Sequence, residues 1–188
     1  CLLIMKLVDI LNKIHHLPSE DSSLLENIFQ KVNLSKGSIL FNKNKTERKF
    51  YFIKKGIARA FTTTDGNDIT FWFGQEGDPI LSINSYISNK AGYETIELLE
   101  DAILYETSNQ LLNELYESNK NICNWGRKLA ENELIKTEQR FIARLTGNSK
   151  QRYEYLIHNY PGLINRVQLG FIASYLGITQ VSLSRIRK

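Results

Sequence analysis

The chain has 188 residues, of which 42% are hydrophobic and 23% charged, and its nine Phe, nine Tyr and two Trp supply enough apolar area for a core. This composition excludes an intrinsically disordered protein, and three prolines and 11 glycines exclude a collagen-like one. The longest apolar run near the start, residues 1–5, is too short to span a membrane. The length suits one ample domain or two small ones.

The two cysteines, Cys1 and Cys123, lie far apart and outside any metal-ligand spacing. Neither a disulfide framework nor a structural zinc site is therefore expected, and a reducing, cytoplasmic location fits best.

Charge is distributed unevenly along the chain. Residues 1–139 carry 16 Lys and Arg against 19 Asp and Glu, whereas residues 140–188 carry eight basic residues and the single acid Glu154, a net charge of +7. A basic C-terminal quarter favours a polyanionic partner, because each cation near a phosphate releases condensed counterions. Nucleic acid is the leading candidate, and a solvated basic face is the alternative.

Two short amphipathic helices open the chain, and β-branched and aromatic runs separated by glycine follow from Leu34. Asp65-Gly66 is a hairpin signal, because both residue types tolerate a positive φ. The spacing predicts an antiparallel barrel or roll. The predicted strands are 38–41, 50–53, 57–62, 69–73, 95–99 and 102–105.

Helical spacing returns at Ser108, which is placed to cap a short helix, and a long helix is predicted over 119–145 with a stop at Gly147. A helix this long needs a partner surface along much of its face. One solution is a homodimer seam, and the other is packing wholly within its own chain. The predicted seam residues are Ile122, Trp125, Leu129, Ile135 and Ile142.

The C-terminal quarter carries the most specific pattern. After a helix over 149–159 and a Pro161-Gly162 break come segments 166–176 and 179–188, joined at Gly177. A small Ala173, the turn at Gly177 and a capping Thr179 are typical of a helix-turn-helix. In the second helix Leu183 and Ile186 point to the core. The residues then left free for a major groove are Gln180, Val181, Ser182, Arg185, Arg187 and Lys188.

Over residues 21–188 the sequence resembles the bacterial Crp/Fnr transcription regulators. The resemblance implies an α+β fold, in which an N-terminal antiparallel, jelly-roll-like β-roll with flanking helices precedes a long dimerisation helix and a winged-helix-like helix-turn-helix. It places a sensor roll at 1–118, the connecting helix at 119–147 and the DNA-binding domain at 148–188. Since the sequence stops at Lys188, the wing of many relatives is expected to be absent or truncated. The matching motifs are Lys36-Gly37, Tyr51-Phe52-Ile53, Gly56, Asp65-Gly66, Glu76-Gly77-Asp78, Leu99-Glu100-Asp101, Ile172 through Thr179, and Ser182 through Arg185.

The same resemblance argues against cyclic AMP as the ligand. Nucleotide-binding relatives place Gly-Glu where this chain has Leu81-Ser82, and a phosphate-binding arginine followed by a small residue where it has Gly92 and Tyr93. A buried phosphate without a cation is costly. Lys90 is the one candidate for a cation in a different geometry.

Other cofactors are not predicted either. Iron–sulfur sensors need about four cysteines, and the histidines, at 15, 16 and 158, all lie outside the predicted strands. Two hypotheses remain: the roll binds an unidentified small effector, or it binds no ligand. The candidate pocket residues, which a solvated loop would explain equally well, are Ser82, Asn84, Ser85, Tyr86 and Tyr93.

For DNA, the resemblance implies base contacts from Gln180, Val181 and Arg185. Glutamine suits adenine, valine suits a thymine methyl group, and arginine binds guanine O6 and N7. Phosphate contacts are expected from Arg166, Gln168, Thr179 and Ser182. The terminal Arg187 and Lys188 complete the predicted DNA-binding set.

The sequence therefore predicts a homodimeric transcription regulator of double-stranded DNA, with RNA polymerase as a further partner implied by the resemblance and no membrane partner. A ligand-binding module acting on a protein partner is the alternative. A cupin-type enzyme would need clustered His and Glu on strands, and no catalytic triad, HExxH or phosphate loop occurs. The protein is not expected to be an enzyme.

Overall fold

The computed structural model describes residues 5–187, so Lys188 lies outside the described residues. Eight strands and nine helices are found in this part of the chain. The strands are β1 (Gln30–Leu34), β2 (Ile39–Phe41), β3 (Lys49–Lys55), β4 (Ala58–Thr64), β5 (Asn67–Gly74), β6 (Pro79–Ile80), β7 (Thr95–Leu98) and β8 (Ala102–Ser108). The helices are α1 (Leu7–Ile14), α2 (Ser19–Asn27), α3 (Ile83–Ser88), α4 (Asn109–Ser118), α5 (Lys120–Thr146), α6 (Ser149–Asn159), α7 (Leu163–Arg166), α8 (Leu169–Leu176) and α9 (Gln180–Ile186).

The strands form two four-stranded antiparallel sheets, with the orders β1-β8-β3-β6 and β2-β7-β4-β5. The predicted hairpin joins β4 to β5, and Asp65 and Gly66 have φ values of 52° and 77°. Two positive φ values in succession give the tight turn that matches the twist of the flanking strands. The α+β roll predicted from the sequence is confirmed.

The six predicted strands are present with shifted ends, but four elements were not predicted. These are β1, β6, α7 and the short helix α3, which begins after Ser82. The helix predicted over 166–176 is wrong in its start, because Val167 is extended and separates α7 from α8. Thr179 caps α9 as predicted, with its Oγ1 accepting a hydrogen bond from Ser182 N at 3.1 Å.

The first half of α5 lies in the core of its own chain. Ile122 and Trp125 are fully buried and Leu129 is 8% exposed. The Trp125 ring packs edge-on against Phe52, and its Nε1 donates to the Leu11 carbonyl oxygen at 3.0 Å. The assignment of Ile122, Trp125 and Leu129 to a dimer seam is therefore corrected, because α1 and the roll already cover these side chains.

The helix-turn-helix shares a hydrophobic core with the roll. Ala173 and Leu183 pack in one buried cluster with the roll residues Ile57, Phe73 and Leu99. The division of the chain at 118 and 147 stays a prediction, and the third of its three segments contacts the first through this core.

Candidate nucleic-acid interface and sensor cavity

Helix α9 presents a polar face to solvent. Gln180, Val181 and Arg185 are exposed, and Val181 is 62% accessible. On the opposite side of the helix Leu183 is fully buried. The amphipathic spacing therefore fixes α9 by its apolar side and leaves the predicted base-reading residues uncovered.

The turn before α9 holds the two helices at a fixed angle. Gly177 has a φ of 66°, a left-handed conformation that ends α8. Ile178 N donates to the Ala173 carbonyl oxygen at 3.0 Å, which closes the turn. A Cβ added to Gly170 would lie 2.8 Å from Gln180 Nε2, so the Gln180 side chain lies against the start of α8.

Arg166, predicted to contact a phosphate, is held by two carboxylates of the roll. Its Nη2 lies 2.7 Å from Glu76 Oε1 and 2.5 Å from Glu100 Oε1. Burial alone would raise the pKa of Glu76, but hydrogen bonds from Arg166 and from the Gly56 N–H outweigh it and lower that pKa. In this arrangement Arg166 ties α7 to the roll, and a phosphate contact requires both ion pairs to break.

The remaining predicted DNA contacts differ in accessibility. Gln168, Thr179 and Arg187 are exposed, whereas Ser182 is half-buried and its Oγ lies 3.0 Å from Thr179 Oγ1. Lys188 lies outside the described residues.

Helix α8 covers the free edge of β5. Ser174 Oγ accepts from Thr70 N at 2.9 Å and donates to the Asp68 carbonyl oxygen at 2.8 Å. The rings of Phe73 and Tyr175 lie 5.3 Å apart between centroids. The hydroxyl thus satisfies backbone groups that an exposed edge strand would leave open.

Arg59, which the sequence analysis did not single out, lies buried in the same contact. Its guanidinium is stacked between Phe61 of β4 and Phe171 of α8, at 4.0 and 3.9 Å from their ring centroids. Its Nε lies 2.7 Å from Glu97 Oε1, and its Nη2 lies 3.2 Å from Asp68 Oδ2. This cation is therefore paired with two acids of the roll and stacked on α8.

The second half of α5 has an exposed apolar stripe, and two of its residues, Ile135 and Ile142, were predicted for the dimer seam. Ile135 and Ile142 are 53% and 51% exposed. Leu134 and Phe141, and likewise Ile135 and Ile142, are seven residues apart, the repeat of a two-helix seam. We call this stripe the seam face. Its members are Leu134, Ile135, Phe141, Ile142 and Leu145, each more than half exposed.

A cavity of about 400 Å³ lies between the roll and the helices α5, α6 and α8. Of the predicted pocket residues only Tyr93 lines it. Its remaining lining includes Ala60, Trp72, Ile80, Leu81, Ile96 and Phe141 as apolar groups, and Glu94, Arg140, Arg144 and Arg152 as charged ones.

The remaining predicted pocket residues do not line this cavity, and three of them have structural contacts. Ser85 Oγ donates to the Lys90 carbonyl oxygen at 2.8 Å and accepts from Glu47 N at 3.0 Å. Asn84 Nδ2 donates to the Ala91 carbonyl oxygen, and Tyr86 packs beside Phe50. These side chains hold the loop around α3 in place.

A second polar link joins α5 to the roll close to the cavity. Lys136 Nζ lies 3.3 Å from Asp78 Oδ1 and 2.7 Å from Glu133 Oε1. Burial raises the pKa of Asp78, because it outweighs the attraction of Lys136.

Residues 31–119 match the protein-family model described as "Cyclic nucleotide-binding domain". Among curated proteins none matches this sequence. The matched segment contains all of the roll except the first residue of β1, together with α4.

Solved structures extend the likeness to the helix-turn-helix. FixK2 from Bradyrhizobium japonicum is 15% identical with a TM-score of 0.75, covering 85% of this chain and 83% of that one. A protein assigned to the crp/fnr family of transcriptional regulators, from Eubacterium rectale, is 17% identical with a TM-score of 0.69, covering 90% and 82%. The catabolite activator protein of Thermus thermophilus is 18% identical with a TM-score of 0.59, covering 95% and 84%.

Residues 31–119 therefore match a cyclic nucleotide-binding domain model, and the chain has the fold seen in Crp/Fnr transcription regulators, as its sequence motifs predicted. None of the helices in residues 5–187 is both long and apolar enough to cross a membrane. Within the same residues no cluster of His, Cys, Asp or Glu is arranged to hold a metal ion.

The roll side of the cavity does not fit a cyclic nucleotide. Gly92 and Tyr93, where relatives place the phosphate-binding pair, are followed by the buried carboxylate of Glu94, which would repel a phosphate. Arg59 is engaged elsewhere by Glu97 and Asp68. The sequence analysis did not identify Glu94, because nothing in the sequence shows that this acid is buried.

Proposed function

We propose that the protein is a homodimeric, sequence-specific DNA-binding regulator of transcription, with a roll that senses an effector other than cyclic AMP. It acts by binding duplex DNA and, as the resemblance implies, through RNA polymerase, and we assign it no reaction. The observation that carries the proposal is the exposed Gln180, Val181 and Arg185 face of α9, seated on a buried Leu183.

The chemistry of that face suits a major groove. An arginine fork makes two hydrogen bonds to guanine, and the glutamine amide does the same with adenine. Val181 has only methyl groups to offer, which suits a thymine methyl. The remaining exposed groups, Thr179 and Arg187, are placed to fix register on phosphates.

Dimerisation is supported by the seam face of α5. Large apolar side chains at a heptad spacing in the last turns of a helix are costly to leave in water. Pairing two copies along this face would give two α9 helices related by a two-fold axis, and such dimers bind inverted half-sites.

The cavity supports a role for an effector because it adjoins the seam face. Phe141 belongs to both, lining the cavity while being 61% exposed. A ligand that contacts Phe141 differently in two arrangements of the α5 pair would shift the population between them.

Duplex binding by an arginine variant tests the proposal. Arg185→Ala should weaken binding to a preferred duplex by about 5- to 150-fold, the equivalent of about 1–3 kcal/mol, and relax discrimination at one base pair. The measurement is a fluorescence anisotropy titration. Arg48→Ala, which removes an exposed arginine of the roll, is the matched control and should leave the affinity unchanged.

Salt dependence separates DNA binding from the alternative, a module that acts on a protein partner. Phosphate contacts require the affinity for DNA to fall steeply with salt. Equal affinities of the Arg185→Ala variant and the unaltered protein, or no binding to duplex DNA at low salt, would refute the proposal.

A further inference from the structure

The roll side of the cavity contains an unpaired buried acid. Glu94 is 4% exposed, and its Oε1 has no hydrogen-bond partner within residues 5–187. The other carboxylate oxygen, Oε2, accepts only from the neighbouring Tyr93 N at 3.0 Å. Buried carboxylates are usually paired, so an unpaired one requires an explanation.

A second unpaired polar atom lies beside it. Ser82 is 2% exposed, and its Oγ also has no partner in the described part of the chain. A Cβ built on Gly92 would lie 2.6 Å from Ser82 Oγ and 3.0 Å from Glu94 Oε1. A carboxylate oxygen and a hydroxyl, which can donate or accept, therefore both face the space that a side chain at Gly92 would fill.

Glu97, three residues after Glu94, differs from it in having a cationic partner. Glu97, which lies on β7, has its Oε1 2.7 Å from Arg59 Nε, an ion pair in which neither atom has a well-directed hydrogen bond. No ion pair of this kind reaches Glu94 among the residues that the structure covers. The chain thus neutralises one of the two acids and leaves the other facing a cavity.

The other residues that line the cavity indicate the size, polarity and charge of a ligand that would fit it. Its wall beside Glu94 is apolar, with Ala60, Trp72, Ile80 and Ile96, and its volume suits a small organic molecule. Three arginines line the cavity from α5 and α6: Arg140, Arg144 and Arg152. A ligand is therefore met by a negative group on the roll side and by positive groups on the helix side.

We propose that this cavity binds a small apolar or aromatic molecule that carries a protonated amine, which donates a hydrogen bond to Glu94. An anionic group at the far end of the molecule would face the arginines. This charge order excludes a phosphate on the roll side. The proposal rests on the proposed function only in treating the cavity as the effector site.

The first test needs no ligand, because a group kept unpaired for binding lowers the stability of the free protein. Glu94→Gln keeps an acceptor for Tyr93 N and removes the charge, so it should raise the melting temperature by about 2–4 °C. Glu97→Gln is the matched control and should lower it, because Arg59 loses a partner. A lower melting temperature for Glu94→Gln would show that the carboxylate is paired, for example by a partner subunit, and would overturn the proposal.

The second test uses small aromatic probes of different charge, with cyclic AMP as a further anion, and measures their binding to the full chain by saturation-transfer NMR. Benzylamine and 4-(aminomethyl)benzoate should bind, and 4-methylbenzoate and cyclic AMP should not. Glu94→Gln should abolish binding of both amines, while Glu94→Asp should retain it weakly. Binding of the anionic probes alone, or of no probe, overturns the proposal.

Failure of this ligand proposal can be distinguished from failure of the proposed DNA-binding function. Duplex titrations of Glu94→Gln without any probe measure DNA binding independently of the cavity. Retained DNA affinity with no amine binding would refute the ligand class alone, whereas amine binding by a protein that does not bind duplex DNA would refute the proposed function alone.

Discussion

The two halves of α5 carry similar apolar residues, yet the structure uses them differently. Ile122 and Trp125, in the first half, are fully buried by α1 and the roll. Phe141 and Leu145, in the second half, are 61% and 67% exposed. Apolar spacing along a helix shows that a partner surface exists, and only the fold shows whether that partner is the same chain.

The largest expected effect comes from breaking the buried half. Trp125→Ala should lower the free energy of unfolding by about 3–5 kcal/mol, because the ring fills a fully enclosed position and its Nε1–H bonds to the Leu11 carbonyl oxygen. Urea unfolding monitored by circular dichroism measures the change. Leu145→Ala, measured under dissociating dilution, is the control and should change this energy by no more than about 0.5 kcal/mol. Equal losses from both variants would erase the distinction between the two halves.

A smaller effect is expected from the exposed half. Leu145→Ser should raise the dimer dissociation constant by about 30- to 1,000-fold, because the leucine is lost from both copies across a two-fold axis. Sedimentation velocity over a dilution series measures it. Leu24→Ser, which removes a 47% exposed leucine from α2, should leave dissociation unchanged. A chain that stays monomeric at every concentration would contradict the seam.

The smallest effect concerns the clamp between Arg166 and Glu76. The pKa of Glu76 in the folded protein lies below its ordinary 4.5. The clamp therefore stabilises fully above about pH 4.5, the value in the unfolded chain, and that stability is lost as the pH falls through the lower folded-state pKa. Glu76→Gln should cost about 1 kcal/mol at pH 7 and progressively less below pH 4.5. Urea unfolding of both proteins between pH 3 and 7 tests this, and a difference that does not depend on pH would contradict it.

Much of the fold was predictable because local chemistry determined it. The Asp65-Gly66 turn, the Thr179 cap and the Gly177 turn each depend on residues within a few positions of one another. The strand β1 was missed because its Gln, Lys and Asn obscure the alternation, and β6 because it has two residues.

The remainder depends on contacts between distant residues, which a single sequence does not reveal. Arg166 contacts Glu76, 90 residues away, and thereby differs from its predicted role on a phosphate. The hydrogen bond of Trp125 to Leu11 and the burial of Glu94 likewise depend on residues that are distant in sequence. The exposure of Gln180, Val181 and Arg185 was easier to predict, because α9 needs only its own apolar side to orient them.

Selection of duplexes from a random library by the unaltered protein tests the central claim most directly. A dimer held by the seam face with two exposed α9 helices predicts enriched sites made of two inverted half-sites, centred about 10–10.5 base pairs apart. Enrichment of an unpaired half-site, or of no sequence at all, would contradict the account.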